Sequence, residues 1–421
     1  MNDNLFPAAL PVFASTRKVA LAQLDAFIPS AGRYANERNH VVPGHINVSR
    51  LSPAIRHRLV LESECAAAPL RRYAASTVEK FTQEIYWRRY WKAWLSLRPQ
   101  VWTDYLDQLA AIQHDPNTEA IRARAARCEA GDGPVAIMNH FARELVETGY
   151  LHNHARMWFA GWWIHIERLP WQLGAEFFYR HLLDGDPASN TLSWRWVAGL
   201  QTPGKTYLPR RSNLEKYLPP EVLAMHPEGL EQLDDPDALI LHAEPRPAIT
   251  RPNLPPAPPL SSAHDTRLGI WIHEDDLCVE HSPLASLKPA SILATGDTIA
   301  WARFRFPERK TTWLRTALAD AAQRAGDAFG VEARVDTDTT APLAEILSRW
   351  ATAHQLQQIA AFRPEIGPLD DQLRDIYAAL AKSGIDLILI DRPEDLTLRP
   401  LATGGFFGFW EKMQKSLKPR A

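Results

Sequence analysis

Hydrophobic side chains recur at helical spacing through the first half of the chain. Leu24 and Phe27 lie on one face of a helix predicted over residues 17–27. The same spacing predicts four more helices, over residues 76–97, 133–146, 153–166 and 171–183. Ser76 or Thr77 is the expected N-cap of the longest of them. Strand-like alternation is absent before residue 230, which indicates an all-helical first half.

Short β-rich runs replace this spacing in the second half. They occupy residues 267–272, 291–295, 330–335, 356–362 and 384–390, with helical stretches at 311–325, 341–353 and 369–383. Alternating β and α runs predict a parallel sheet with helices on both faces. No Gly-x-Gly-x-x-Gly follows the first strand, so a dinucleotide-binding fingerprint is absent.

Prolines concentrate between these two patterns, in EPRPAITRPNLPPAPPLSS at residues 244–262. Proline removes backbone donors and favours extended geometry, which is typical of a semi-rigid linker. We therefore expect a multidomain protein of α and α/β class. A helical domain would cover residues 1–235, a linker 236–265 and a Rossmann-like parallel α/β domain 266–421.

Composition narrows the class of protein. The chain has 421 residues, enough for two domains, and its 15 tryptophans are an unusual number. Cys65, Cys128 and Cys278 are far apart and form no CxxC, which argues against a zinc or iron–sulfur site and favours a reduced, cytoplasmic setting. The N-terminus lacks the features of a signal peptide, and the apolar run at 157–166 is too short to span a bilayer. A slight excess of basic residues in the first half is weak evidence for a polyanionic partner.

Two polar clusters in the helical half combine residue types that bind ligands. In NVSRLSP, Ser49, Arg50 and Ser52 precede a helix and can hold a phosphate, although a serine N-cap is the simpler interpretation. In QEIYWRRYW, Glu84 and Arg88 share one helix face with Trp87 and Trp91. The alternative for this second cluster is an amphipathic aromatic stripe with an internal Glu84–Arg88 pair.

Two further clusters follow along the chain. In GYLHNHARM, His152 and His154 are two residues apart and do not face each other on a helix, which makes a metal pair a poor interpretation. Arg156 needs an acidic partner if it is buried, and Asp184 of LLDGDPASNTLSWRW can supply it. The small residues after Asp184 suggest that something bulky lies against the backbone, and Asn190 can present its amide to a heterocycle.

Taken in order, these clusters resemble the flavin-binding helical domain of the photolyase/cryptochrome family over about residues 15–220. NVSRLSP resembles the family's phosphate loop, and QEIYWRRYW, GYLHNHARM and LLDGDPASN…WRW resemble its later motifs. RLGIWIHEDDLCVEHSPL and TGGFFGFWEKM resemble the family's antenna α/β domain. Since that domain comes first in the family and last here, the resemblance implies a circular permutation.

The resemblance implies that the ligand is FAD. Its phosphates would be held by Tyr34, Ser49, Arg50, Leu51 and Ser52. Its flavin, ribose and adenine would be surrounded by Arg88, Asn153, Arg156, Asp184, Asp186 and Asn190, with Asn190 facing the reactive ring nitrogen. Trp194 would be the nearest electron donor and Trp171 the next. The family's third tryptophan aligns near Cys128, which leaves Trp102, Trp158, Trp162 or Trp163 as substitutes, or a chain that ends short.

The substrate side of the resemblance points to enzymes that act on cyclobutane pyrimidine dimers. The pocket would be lined by Glu84, Trp87, Tyr150, Met157 and Trp196, with Trp196 stacking on a base flipped out of DNA. His154 stands where the family has an arginine that contacts DNA phosphate. Four basic residues after Trp196 can meet phosphates or form a solvated loop, namely Lys205, Arg210, Arg211 and Lys216.

Three functions follow from the resemblance. The first is a light-driven lyase that uses reduced FAD to split pyrimidine dimers in single- or double-stranded DNA. The second is a blue-light photoreceptor of the cryptochrome type, and the third is a flavoprotein with unrelated chemistry. We expect a monomer that binds no metal. The sequence leaves open whether the second domain binds a folate, a deazaflavin, a second flavin or no antenna pigment.

Overall fold

The computed structural model describes residues 13–202, 205–241, 247–250, 266–337 and 341–416. Up to residue 241 the described residues form helices and no strand, as predicted. The α-helices are α1 Arg17–Phe27, α2 Tyr34–Glu37, α3 Ser52–Arg56, α4 Glu62–Ala67, α5 Ala75–Ser96, α6 Gln100–His114, α7 Glu119–Glu129, α8 Ala136–Thr148, α9 Asn153–Gly161, α10 Trp171–His181, α11 Pro187–Val197, α12 Arg211–Tyr217 and α13 Pro220–Met225. All five predicted helices are confirmed, and a π-helical turn at Trp162–Ile166 extends α9.

The predicted serine and threonine caps are wrong. Helix α5 begins at Ala75, and its N-cap is Ala74, which makes no side-chain hydrogen bond. Ser76 and Thr77 therefore lie inside the first turn. Helix α3 begins at Ser52 after an N-cap at Leu51, again with no side-chain bond. Burial of a helix face supplies more stability than a cap does, so α5 forms without one.

The second half contains a five-stranded parallel sheet, as predicted. Its strands are β1 Leu268–His273, β2 Ser291–Thr295, β3 Ala333–Asp336, β4 Gln358–Phe362 and β5 Asp386–Ile390, in the order β3-β2-β1-β4-β5. Its helices are α14 Thr298–Arg303, α15 Glu308–Phe329, α16 Leu343–Ala353, α17 Pro368–Asp371, α18 Leu373–Lys382, α19 Pro393–Leu398 and α20 Phe406–Ser416. Helix α15 packs on one face of the sheet, and α16 and α18 pack on the other. No helix among the described residues is long and apolar enough to cross a membrane.

Buried ion pairs join the helical part to the carboxyl edge of the sheet. Arg56 lies 2.8 Å from Asp275, and Arg58 lies 3.0 Å from Asp276 and 2.8 Å from Asp395. All of these side chains are less than a tenth exposed. Burial of a charge is tolerated only when a partner is present, so these pairs fix how the two parts meet. The predicted linker lies largely outside the described residues.

Glu274, which follows β1 at this junction, predicts a pH-dependent stability. Its carboxylate accepts a hydrogen bond from the Trp301 indole at 2.7 Å. Burial, with the nearby charges of Asp297 and Asp275, raises the pKa of Glu274 from 4.5 to about 7. Because the folded state holds this proton more tightly than the unfolded state, stability present below pH 4.5 is lost as the pH rises towards 7.

We therefore expect Glu274→Gln to flatten the fall in stability over this pH range. Urea unfolding of both proteins across the range measures the effect. Glu147→Gln, which changes an exposed carboxyl on α8, is the control. Parallel curves for the parent and the Glu274 variant would contradict the prediction.

Candidate functional site

A cavity of about 390 Å³ lies within the helical part. Its lining includes Tyr34, Ser49, Arg50, Leu51, Ser52, Glu84, Trp87, Arg88, Tyr150, Asn153, Arg156, Met157, Asp184, Asp186, Asn190, Trp194 and Trp196. The structure thus brings all four sequence clusters to one place. Of the site residues predicted from the sequence, Trp171 is the exception, because it lines a separate pocket.

Asp184 lies between two cationic side chains at the cavity wall. Its carboxylate is 3.0 Å from an Arg156 guanidinium nitrogen and 3.5 Å from one of Arg88. Burial alone would raise the pKa of Asp184, but the charges of Arg156 and Arg88 hold it below its usual value. The pairing of Arg156 with Asp184 predicted from the sequence is confirmed. The side chain is therefore ionised and keeps both arginines in place.

Glu84 forms an ion pair with Arg38, which lies outside the helix that carries Glu84. Its carboxylate accepts a hydrogen bond from Arg38 at 2.9 Å. The alternative of an internal Glu84–Arg88 pair is wrong, since Arg88 turns towards Asp184. Burial raises the pKa of Glu84, although the charge of Arg38 opposes the shift. A carboxyl with a raised pKa is more readily protonated and can then donate a hydrogen bond to a ligand.

Helix α11 carries the next part of the wall. Asp186 caps it by accepting a hydrogen bond from the Ser189 amide at 2.7 Å, and it also pairs with Arg56 at 3.2 Å. The protein therefore uses both carboxylate oxygens of Asp186, which points to a positioning role. One turn later, Asn190 donates through Nδ2 to the Ala175 carbonyl at 2.7 Å. That bond orients the amide at the cavity wall.

Two glycines show what lies against the backbone here. A Cβ on Gly185 would come within 3.0 Å of the Leu182 and Tyr179 carbonyl oxygens and of the Lys310 ammonium, so protein atoms lie close to the backbone at this position. A Cβ on Gly174 would come within 2.3 Å of the Trp194 ring. Glycine at 174 therefore allows Trp194 to lie directly on α10.

Trp194 and Trp196 have different surroundings, as predicted. Trp194 is 2% exposed, whereas Trp196 is half-buried and packs against Tyr207 at a ring distance of 5.9 Å. The Tyr207 hydroxyl is 3.2 Å from His154 Nε2, and His154 Nδ1 is 2.8 Å from the Asn39 carbonyl. His154 is thus hydrogen-bonded inside the protein, and its contact with the Tyr207 hydroxyl helps to hold the Tyr207 side chain in place.

The basic residues after Trp196 are partly neutralised. Arg210 lies 3.6 Å from Asp235, and Arg211 lies 2.9 Å from Glu215. Exposed pairs of this kind are weak and screened by salt, so they compete only slightly with a phosphate. Lys205 and Lys216 complete the predicted set, and Lys216 lies over the Tyr217 ring at 5.0 Å.

Sequence reasoning missed a number of the lining residues, among them Arg38, His152 and Phe178. His152 caps α9 by accepting a hydrogen bond from the His154 amide at 3.2 Å. Burial lowers the pKa of His152 to about 3, with the neighbouring charges of His45 and His154 adding to the shift, so the ring is neutral. Its position directly before the predicted helix at 153 was a usable signal for a cap. Arg38 and Phe178 gave no comparable signal.

The donor set of the cavity fits FAD. Arg50 donates to the Gly44 carbonyl at 3.3 Å and has no carboxylate partner among the described residues, which leaves its charge for an anion. It also holds a left-handed backbone conformation with φ 54°, which is uncommon for a side-chain-bearing residue and frequent at binding sites. Hydroxyls at Ser49 and Ser52 lie beside it, and the amide of Asn190 is suited to the edge of a flat heterocycle.

Comparison with known proteins finds matches for the helical part of the chain. Residues 81–217 match the family described as the FAD binding domain of DNA photolyase. A cryptochrome DASH of Idiomarina loihiensis is 28% identical over 211 residues, which are 48% of this chain and 45% of that protein. A deoxyribodipyrimidine photo-lyase of Thermus thermophilus is 34% identical over 205 residues, which are 47% of this chain and 46% of that protein.

The chain therefore spans less than half the length of the curated relatives that it matches. Among solved structures, a bacterial class III photolyase from Agrobacterium tumefaciens is 27% identical to this chain. The TM-score is 0.40, and the match covers 48% of this chain and 42% of that one.

Proposed function

We propose that this chain, whose helical part carries an FAD-binding domain of the photolyase and cryptochrome family, uses blue light to split cyclobutane pyrimidine dimers in DNA. The observation that supports this most is the composition of the cavity. Glu84, Trp87 and Trp196 line the same space as Asn190 and the phosphate-binding candidates. A base that leaves the DNA stack and a flavin can therefore share one pocket.

The chain's own residues would hold and orient the cofactor. Tyr34, Ser49, Arg50, Leu51 and Ser52 would bind its phosphates, while Arg88, Asn153, Arg156, Asp184 and Asn190 would surround the rest. When bound and reduced, FAD supplies the electron that opens the dimer ring and takes it back afterwards. Because Asp186 is already engaged by Ser189 and Arg56, it would act through the position of α11.

The substrate would be recognised by stacking and by one hydrogen bond. Trp87 and Trp196 offer indole faces to the two bases of a dimer, and Tyr150 and Met157 complete the wall. Burial raises the pKa of Glu84, and a protonated Glu84 would donate a hydrogen bond to a pyrimidine carbonyl. The base must leave the DNA stack to enter the pocket. A dimer that is already poorly stacked therefore loses less stacking free energy on entry.

Two wider features belong to the same proposal. The sheet follows the helical part in the chain, which is the arrangement that a circular permutation of the family's order would produce. The three cysteines are buried and unpaired, as expected for a protein of a reducing compartment such as the cytoplasm. The protein would act as a monomer, and any antenna pigment is unidentified.

A blue-light photoreceptor of the cryptochrome type is the second candidate. The observation that favours it concerns His154, which stands where the family has an arginine that contacts DNA phosphate. His154 is hydrogen-bonded inside the protein to Asn39 and Tyr207. Weaker contacts to the DNA backbone would lower the affinity for duplex substrate without affecting the flavin.

Repair of a thymine-dimer oligonucleotide under blue light separates the two functions. The photoreduced protein is given single- and double-stranded substrate, with Trp196→Ala as the comparison. We expect repair by the parent protein and its near-complete loss in the variant, because the variant lacks the stacking face for the flipped base. A control absorption spectrum establishes that the variant retains FAD. Full photoreduction without repair of either substrate would refute the lyase and favour the photoreceptor.

A further inference from the structure

The last helix of the α/β part reaches the cavity of the helical part through one aromatic ring. Phe406, at the start of α20, stacks on Trp87 of α5 with a ring distance of 3.8 Å and an angle of 9°. Phe406 is 3% exposed. Trp87 lines the cavity, whereas Phe406 is not among the lining residues in the described part of the chain. Phe406 therefore covers one face of the indole, and the cavity lies against the rest of the Trp87 side chain.

The backbone before Phe406 is held by Tyr90 of α5, the helix that carries Trp87, and by Arg98, just beyond the end of α5. The Tyr90 hydroxyl donates to the Gly404 carbonyl at 2.8 Å, and Arg98 donates to the Thr403 carbonyl at 3.0 Å. Both side chains are buried. These bonds hold the backbone that leads into α20 against α5, which places Phe406 beside Trp87.

We propose that Phe406 is a positioning residue for the substrate-facing surface of Trp87, so that the C-terminal helix α20 supports one wall of the substrate pocket from outside. The proposal rests on the proposed function, because it takes Trp87 as a stacking platform for a pyrimidine base. An indole held in one plane before the base arrives loses little conformational entropy on binding. Trp196 would be the second stacking platform, and it too packs against another aromatic ring, that of Tyr207.

Phe406→Leu tests the proposal, with Phe409→Leu as the matched control. Phe409 lies on the same helix, is 1% exposed and contacts the ring of Tyr90 at 5.5 Å rather than that of Trp87. We expect Phe406→Leu to raise the KM for a thymine-dimer oligonucleotide about tenfold, with the light-driven rate at saturation and the flavin spectrum unchanged. Phe406→Tyr keeps the ring and should restore the parent KM. An equal rise in KM for both leucine variants, or no rise, would overturn the proposal.

A second measurement does not depend on repair. In holoprotein labelled with 5-fluorotryptophan, the ¹⁹F signal that is lost in Trp87→Phe identifies Trp87. Phe406→Leu should shift and broaden this signal, and Phe409→Leu should leave it in place. An unchanged Trp87 signal in Phe406→Leu would overturn the positioning role even if the parent protein repairs DNA. Absence of repair by the parent, with the Trp87 signal shifted as expected, would refute the proposed function and leave the contact intact.

Discussion

Replacing Asp184 with alanine is expected to release FAD and to lower the free energy of unfolding by about 3–5 kcal/mol. Asp184 is 4% exposed and is the acidic partner of both Arg156 and Arg88. Its removal leaves two guanidinium groups at the cavity without a compensating charge. The two arginines would then repel each other and turn towards solvent. This would disrupt the part of the cavity wall that contacts the cofactor.

Flavin content after gel filtration and urea unfolding of the FAD-free protein measure the two effects separately. Asp184→Asn keeps the shape of the side chain and should fall between the parent and the alanine variant. Asp107→Ala removes an exposed carboxyl from α6 and serves as the control. Full flavin content in Asp184→Ala would show that the Arg156–Asp184 pair does not support the binding site.

Local features of the fold could be predicted because they depend on neighbouring residues. Helix α1 and strand β2 have the predicted bounds, since each is a short run with an unambiguous period. Helices α6 and α7 were not predicted. Val101, Tyr105 and Leu109 are buried at helical spacing in α6, so the signal was present in the sequence.

The partners of the site residues could not be predicted to the same degree. Arg38 and Glu84 are 46 residues apart, and only the packing of α2 against α5 makes them neighbours. The i, i+4 rule favoured Arg88 as the partner of Glu84, but a buried carboxylate, Asp184, attracts Arg88 more strongly than a neighbour on the same helix does. Phe406 is a further example, because its contact with Trp87 joins residues that lie far apart in the sequence.

Trp194→Phe is expected to slow the light-driven reduction of bound FAD by on the order of 100-fold, equivalent to about 2.7 kcal/mol in activation free energy. Trp194 lines the cavity and, unlike Trp87, Trp91 and Trp196, is buried, and we propose it as the first electron donor to the cofactor. Phenylalanine keeps the packing but is much harder to oxidise. Binding of FAD, and repair by chemically reduced protein, should be unchanged. Absorbance during blue illumination with a thiol reductant measures the rate.

Two routes are candidates for reducing Trp194 again after it has given up an electron. Its ring lies on Gly174, one turn from Trp171 on α10, and Trp171 stacks on Tyr105 at 5.4 Å. The second route runs through Trp163, whose ring contacts that of Trp194 directly at 6.3 Å. Beyond Tyr105 the first route continues to Trp102, 5.5 Å away, and Trp102 and Trp163 are both fully buried.

An electron route is productive only if it reaches a redox-active ring that an external donor can approach, and Trp171 lines a second pocket. Trp171→Phe should therefore slow photoreduction nearly as much as Trp194→Phe, while Trp163→Phe should have little effect. The reverse order would assign the route to Trp163. Normal photoreduction in Trp194→Phe would exclude both routes, because each of them begins at Trp194.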